Sequence, residues 1–312
     1  MHRSTTWKTD SRRYLQAHIE RLKGRLLADE DCDVGEANVD ELLSEIEQPP
    51  ALEIAVERFG LSGFERDLLV MCAGVEFSAE FGRKMRELTG RADAFATFSV
   101  GLSLLDQPNW DALTPEAPLR RWKFIRVTRD RSLTDSPLRI DERVLHYLAG
   151  CDQLDREVAT YVEPVPVPEH VCPSHCRLAE SIVSLYAGAQ AGLPVVQVYG
   201  VSRAARLGVT AQAARQLGCR AFVLDEHDIP SDGRQQEELA TLWNREAVLS
   251  GRALVVETTD RAGESSGALA RFARRLIGPV LITGRETRQL GRVSTHRFEV
   301  QPHHGGREHA HR

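Results

Sequence analysis

The sequence predicts an α/β protein in which a mainly helical N-terminal domain with a short hairpin precedes a doubly wound parallel sheet. Three observations carry this. Apolar residues recur at helical spacing through the first ninety or so positions. The stretch Val162 to Pro173 then holds Pro164, Pro166, Pro168 and Pro173, each forcing extended backbone on the residue before it. Beyond it, short continuous apolar runs alternate with helical ones, as expected of strands buried on both faces with helices between them.

The helical part begins with a charged segment from Ser11 to Glu47, with Tyr14, His18, Leu22 and Leu26, then Leu42, Leu43 and Ile46, at helical spacing; Gln48-Pro49-Pro50 ends it. A second run carries Leu52, Ala55, Val56 and Phe59 before Gly60 stops it, and Leu61-Ser62 opens the next helix. That helix, Gly63 to Gly74, holds Phe64, Leu68, Leu69, Met71 and Cys72 and is expected at the centre of a small core. Phe77 to Leu88 follows it. From Leu119 to Val127 charge and bulk alternate with a slip at Phe124-Ile125, as in a bulged strand, with Ser136 to Ile140 as its partner. Helices, a hairpin and a closing helix at Asp141 to Ala149 follow the element order of a winged-helix domain.

In the second part, strands are expected at Val195 to Tyr199, Ala221 to Leu224, Ala253 to Val256, Val280 to Thr283 and Arg297 to Val300. Helices are expected at Ala204 to Leu217, Arg234 to Leu249 and Ser265 to Ile277. The resulting division is a helical segment at 1–50, a winged-helix-like domain at 51–161, a Pro-rich linker at 162–176, a doubly wound domain at 177–300 and a His-rich tail at 301–312.

Composition bounds the function. The chain has 312 residues, 42% hydrophobic and 27% charged, which suits two or three soluble domains. A net charge of -5 excludes a surface that grips nucleic acid everywhere but leaves room for local basic patches. Met1 to Arg13 has no apolar core for a secretory signal, and no run approaches the ~20 apolar residues of a membrane span. A cytoplasmic protein with no membrane partner is expected. Cys32, Cys72, Cys151, Cys172, Cys176 and Cys219 are scattered, mostly beside apolar residues, so they read as small hydrophobes rather than disulfides.

The first strand of the second part ends where a P-loop would begin. That motif, G-x-x-x-x-G-K-[ST], wraps phosphates in backbone N–H groups, neutralises them with lysine and holds magnesium with a hydroxyl. Here Gly200 keeps the first glycine, but Ala205, Arg206 and Leu207 stand at the other three positions. Arg206 is a bulkier cation than lysine and can still meet an anion; Leu207 offers a metal no oxygen. Two places compete for the acidic signature that ends an apolar strand. Glu257-Thr258 follows the third strand with the base missing. Asp225-Glu226 matches literally but closes the second strand, and with Asp228 it reads as a solvated strand end before Pro230. Thr283 closes the fourth strand at the position of a polar sensor, with Arg285, Arg288 and Arg292 after it. The expected nucleotide site is therefore vestigial: Gly200, Arg206, Glu257 and Thr283, with no catalytic residue, no resident cofactor and at most weak binding of ATP and magnesium.

Two runs, Arg58-Phe59-Gly60-Leu61-Ser62-Gly63-Phe64-Glu65-Arg66-Asp67-Leu68-Leu69 and Cys72-Ala73-Gly74-Val75-Glu76, resemble bacterial AAA ATPases with an N-terminal winged-helix region. Pro118-Leu119-Arg120-Arg121-Trp122 and Ser136-Pro137-Leu138-Arg139-Ile140-Asp141-Glu142-Arg143-Val144-Leu145 add to the resemblance, which spans about Glu53 to Val300. It implies a degenerate P-loop NTPase-like domain of AAA type after the winged helix. In that family an active AAA domain with an intact P-loop follows, and this sequence ends before any such domain. It further implies association with contractile injection systems, phage-tail-like particles whose assembly an ATPase assists.

The remaining motifs are weighed against plainer readings. Arg120, Arg121, Lys123 and Arg126, with Trp122 and Phe124 between them, would suit a nucleic-acid or partner surface; the preferred reading is that the aromatics pack inward and the cations face solvent, with protein contact favoured over nucleic acid. Cys172-Pro173-Ser174-His175-Cys176 lacks the second ligand pair of a structural zinc site and reads as a linker–helix junction. His303, His304, His309 and His311 belong to the tail. The leading expectation is a non-catalytic AAA-like scaffold or adaptor with a protein partner or an AAA assembly. A weak ATP-binding ATPase and a winged-helix DNA-binding regulator are the alternatives.

Overall fold

The computed structural model describes residues 4–27, 36–190, 192–259 and 266–301. The chain divides into two compact units, His2–Leu154 and Asp155–Arg312.

The first unit is built from α1 (Thr5–Leu27), α2 (Glu36–Glu45), α3 (Ala51–Phe59), α4 (Gly63–Phe77), α5 (Ala79–Thr89) and α6 (Phe98–Leu104). A helical turn at Trp110–Leu113, α7 (Pro118–Arg121), the hairpin β1 (Ile125–Val127) and β2 (Leu138–Ile140), and α8 (Glu142–Leu148) complete it. The segment expected at 1–50 belongs to this unit. Trp7, Tyr14, Leu15, Ile19 and Leu22 of α1 are buried, Trp7 Nε1 donates to the Pro49 carbonyl at 3.0 Å, and the Ala51 N–H donates to Ser11 Oγ at 3.0 Å. Residues 28–35, in the middle of the expected helical run, lie outside the described residues.

Local chemistry sets the helix ends. Gly60 stops α3 in the left-handed region, which glycine enters at no steric cost. Ser62 and Glu65 form a reciprocal capping box at the start of α4. As the run of apolar residues implied, α4 is central, with Phe64 and Leu68 to Ala73 buried.

The expected strand at Leu119 to Val127 is corrected. Pro118 stands at the first helical position, where its fixed φ and missing N–H cost nothing, and a helical turn forms instead. Lys123 then takes a positive φ of 52° and reverses the chain into β1. The hairpin pairs Ile125 with Ile140, Arg126 with Arg139 and Val127 with Leu138, and a single bridge joins Ala96 to Leu138.

The second unit contains α9 (Arg156–Ala159), β3 (Val162–Pro164), α10 (Pro173–Ala187), β4 (Val195–Tyr199), α11 (Arg203–Gln216) and β5 (Arg220–Asp225). It continues through a helical turn at Glu226–Asp228, α12 (Gly233–Ser250), β6 (Arg252–Glu257), α13 (Ser266–Ala273), β7 (Val280–Gly284) and β8 (Thr295–Glu299). One sheet runs β3-β5-β6-β7-β4-β8, parallel throughout except for β3. Val196, Val198, Val255 and Leu281 pack with Ala179, Ile182, Val209, Ala213 and Ala214 in its core.

Three expectations change here. The stretch expected as a linker at 162–176 opens with β3, whose three residues pair antiparallel with Leu224, Val223 and Phe222, and its end enters α10 at Pro173. Prolines do not forbid this, because an edge strand needs N–H donors on one side only. The strand carrying Asp225 is consequently not at the sheet's edge. The last strand begins two residues earlier than expected, at Thr295. The described helix after residue 265 ends at Ala273, and Asn244 takes over from it, donating to the Arg275 carbonyl at 2.7 Å and accepting from the Ile277 N–H at 3.0 Å. No described helix is long and apolar enough to cross a membrane.

Candidate functional site

Sequence places β4 at the start of the site, and Gly200 ends it. With φ 148° and a hypothetical Cβ only 2.3 Å from the Val300 carbonyl oxygen, this position admits only glycine. The close approach is held by the Val300 N–H, which donates to the Tyr199 carbonyl at 2.7 Å. The glycine is thus required by the meeting of β4 with the chain after β8, whatever else it does.

Ser202 caps α11, its hydroxyl accepting from the Ala205 N–H at 3.3 Å, and the first turns of the helix bring Arg203 and Arg206 to the carboxyl end of the sheet. Arg206 is buried. Its Nη1 donates to the carbonyls of Gly200 and, at 3.4 Å, Val201, and its Nη2 lies 3.9 Å from Glu257 Oε1. Glu257 is claimed by Arg203 in a two-point pair, Nε to Oε1 at 2.7 Å and Nη2 to Oε2 at 2.6 Å, a geometry in which both partners are charged and aligned. Those hydrogen bonds raise the Arg203 guanidinium above its ordinary range.

Thr283 is the register partner of Glu257 on β7 and is fully buried; its Oγ1 has no hydrogen-bond partner among the described residues. Its carbonyl accepts from the N–H and Oγ1 of Thr258, at 2.7 and 3.1 Å. Gly200, Arg206, Glu257 and Thr283 therefore share one end of the sheet, contributed by β4, α11, β6 and β7. A cleft of ≈ 400 Å³ opens beside the loop, lined by Tyr199, Gly200, Val201, Arg285, Thr287 and Glu299 among others.

These residues do not fit a nucleotide with magnesium. A phosphate cradle needs main-chain N–H groups turned inward and a cation free to meet the ligand. Here two loop carbonyls face the Arg206 guanidinium, Leu207 carries no oxygen, and the Glu257 carboxylate is engaged by Arg203.

Four further residues belong to this end of the sheet. Glu226, read in sequence as part of a solvated strand end, is buried, and its carboxylate lies 3.7 Å from Arg288 Nη2. Arg288 also donates to the Thr259 carbonyl, and its main chain is held by Gln197 of β4. Arg203 could have been found, since it precedes Arg206 by three residues and so shares its helix face. Asp225 behaves as expected of a strand end. Partial burial raises its carboxyl, but the His227 main-chain N–H and ring, both at 2.9 Å, outweigh that and hold it below the usual range.

In the first unit, the basic run does not present one free patch. Arg120 donates to the Leu113 carbonyl, Arg121 lies over the Trp122 ring at 5.1 Å, and Arg126 pairs with Asp141 at 3.3 Å. Lys123 is half-buried. Trp122 and Phe124 pack edge-on against Phe59, at 5.5 and 4.8 Å. What the hairpin does expose is Arg126 opposite Arg139, a cross-strand pair of like charges. Among the described residues no group of three or more histidine, cysteine or acidic side chains is placed to hold a metal; His303, His304, His309 and His311 lie outside them.

No curated protein matches the chain. Residues 36–162 match the family model described as "Winged helix domain, variant", a span of under half the chain. It takes in α2 to α7, the hairpin and α8, together with the single bridge from Ala96 to Leu138, but not α1. The match supports the winged-helix region expected in the helical N-terminal part.

Proposed function

We propose that this chain is a non-catalytic scaffold or adaptor of AAA ATPase type, working through protein contacts in an assembly. The observation that carries the reading is the Arg203–Glu257–Arg206 cluster, in which the charged side chains at the altered motif positions engage one another. The order of the five parallel strands, with the last beside the first and the first beside the fourth, supports a P-loop NTPase-like ancestry for the second unit. The resemblance of the first unit's motifs supports placing the assembly among phage-tail-like contractile injection particles. Isothermal titration of the whole chain with ATP and magnesium tests this. No heat up to millimolar nucleotide is expected; micromolar binding that disappears in Arg206→Ala would overturn the scaffold reading in favour of a nucleotide-dependent one.

A second reading, a DNA-binding regulator, draws on the exposed Arg126 and Arg139 of the hairpin and on the winged-helix match. It ranks below the first because the helix before the hairpin, α7, has four residues, too short to present a face to the major groove, and Arg120 turns back to Leu113. Titration of a labelled duplex at two salt concentrations decides it: salt-dependent binding lost in Arg126→Ala/Arg139→Ala establishes the regulator, and its absence removes it.

A further inference from the structure

The first turn of α10 places two cysteines one helical turn apart. Cys172 is the N-cap residue, in extended backbone, and Pro173 begins the helix. Cys176 lies one turn on, with its N–H bound to the Cys172 carbonyl at 3.0 Å. A single helical turn separates their Cα atoms by about 6 Å, within the range a disulfide spans. Cys172 Sγ is 3.2 Å from the Ser174 hydroxyl of the first helical turn, and Cys176 Sγ donates back to the Val171 carbonyl at 3.7 Å, just before the helix. Both residues are partly exposed.

The environment separates these cysteines from a buried one. A helix start carries N–H groups without helical partners and favours an anion, and a thiolate is one. The Ser174 hydroxyl foremost, then main-chain N–H groups of the same turn, hold the Cys172 thiol below its ordinary range. Burial in the core of the first unit instead pushes Cys72 up to about 12 and leaves it an inert thiol.

We propose that Cys172 and Cys176 are a reversible dithiol–disulfide pair oxidised by hydroperoxides, with Cys172 as the attacking sulfur and Cys176 as the resolving one. In the first step the Cys172 thiolate takes the terminal oxygen of the hydroperoxide. The O–O bond breaks, the departing oxygen gains a proton to leave as an alcohol or water, and Cys172 becomes a sulfenic acid. In the second, Cys176 sulfur attacks that of Cys172; the S–S bond forms, the S–O bond breaks, and hydroxide leaves with the Cys176 proton as water. Two thiols lose two electrons and the hydroperoxide gains them; a thiol reductant reverses the exchange. Residues one turn apart hold their Cβ atoms about 5–6 Å apart, whereas a disulfide needs about 3.8 Å. Cys172, standing outside the helix as its cap, is the residue free to swing inward. His175 of the same turn has Nε2 3.4 Å from the Gln301 carbonyl, so closing the bond acts on the contact between α10 and the chain after β8. The pair is of the transient kind found in reducing compartments, and it does not rest on the scaffold reading.

The test is a brief treatment of the whole chain with a small excess of hydrogen peroxide, followed by alkylation and peptide mapping by mass spectrometry. A disulfide between Cys172 and Cys176 is expected while Cys72 stays reduced. Cys176→Ser is expected to accumulate a dimedone-reactive sulfenic acid at Cys172, and Ser174→Ala to shift half-maximal alkylation of Cys172 to higher pH without changing the fold. Cys172 reacting no faster than Cys151 or Cys219, or a Cys176→Ser chain without dimedone adduct at Cys172, would overturn the proposal.

Discussion

Gln197 and Arg288 are joined twice: the side-chain amide of Gln197 donates to the Arg288 carbonyl at 2.9 Å and accepts from the Arg288 N–H at 2.8 Å. A buried glutamine on β4 thus supplies the pairing that a strand would, and fixes the segment after β7 against the sheet. Gln197→Leu keeps the volume and leaves both main-chain groups unpaired, so a loss of about 2–4 kcal/mol is expected in urea denaturation.

Arg206 and Arg203 differ in what they hold. Arg206→Ala abandons two loop carbonyls beside a partly buried carboxylate and is expected to cost about 2–3 kcal/mol. Arg203 is largely exposed, so Arg203→Ala should cost under about 1 kcal/mol despite its two-point pair. Thermal unfolding of the two variants side by side checks the order.

Gly200→Ala places a methyl group against the Val300 carbonyl at a φ that alanine rarely adopts. A destabilisation of at least about 2 kcal/mol is expected, with no nucleotide present, because the requirement is one of chain approach. Equal stability of Gly200→Ala and the parent in denaturant would contradict it.

His18 gives the first unit a pH response. Burial foremost, then the neighbouring Arg21 and Arg66, lower its pKa to about 3, and its ring meets Tyr14 edge-on at 4.7 Å. Between pH 6.5 and about 3 the unfolded chain binds a proton that the folded one refuses. Stability therefore falls as pH drops through that window, by up to ~1.4 kcal/mol per pH unit. Denaturation midpoints at pH 7 and 5 should separate in the parent and move closer in His18→Leu.

Arg245 and Asp155 form an enclosed ion pair in the second unit, at 2.6 Å, with the Arg245 side chain fully buried. Asp155 also caps α9 through the Glu157 and Val158 N–H groups. Asp155→Ala leaves a buried guanidinium short of its counter-ion and should cost about 3–5 kcal/mol, whereas Asp155→Ala with Arg245→Met should recover part of it. A double-mutant cycle in denaturant measures the coupling.

Sequence reasoning reached what local chemistry decides. Gly60 and Leu61-Ser62 announced the break between α3 and α4, and the continuous apolar runs announced β4, β6 and β7. It failed where a partner far along the chain decides. Val162 to Pro164 pairs because β5 offers an edge, and nothing in a proline-rich stretch declares that. Pro118 favoured a helical turn over an alternation that looked strand-like. The site was legible as a list of altered motif positions. That Arg206 would bond the carbonyls of its own loop, and that Glu226 would be buried beside Arg288, depends on main-chain directions that spacing does not encode.

The placement of β4 sets an order of events. Its neighbours, β7 and β8, are the last strands of the described chain, while β5 and β6, which emerge between them, pair with each other. During synthesis β4 must wait, without a sheet partner, until Val280 and then Thr295 have left the ribosome. The sheet of the second unit therefore cannot be completed before β7 and β8 emerge, and an apolar strand stays unpaired meanwhile. A nascent chain arrested between β6 and β7 should remain protease-sensitive throughout residues 195–257, and become resistant only when the last two strands are released.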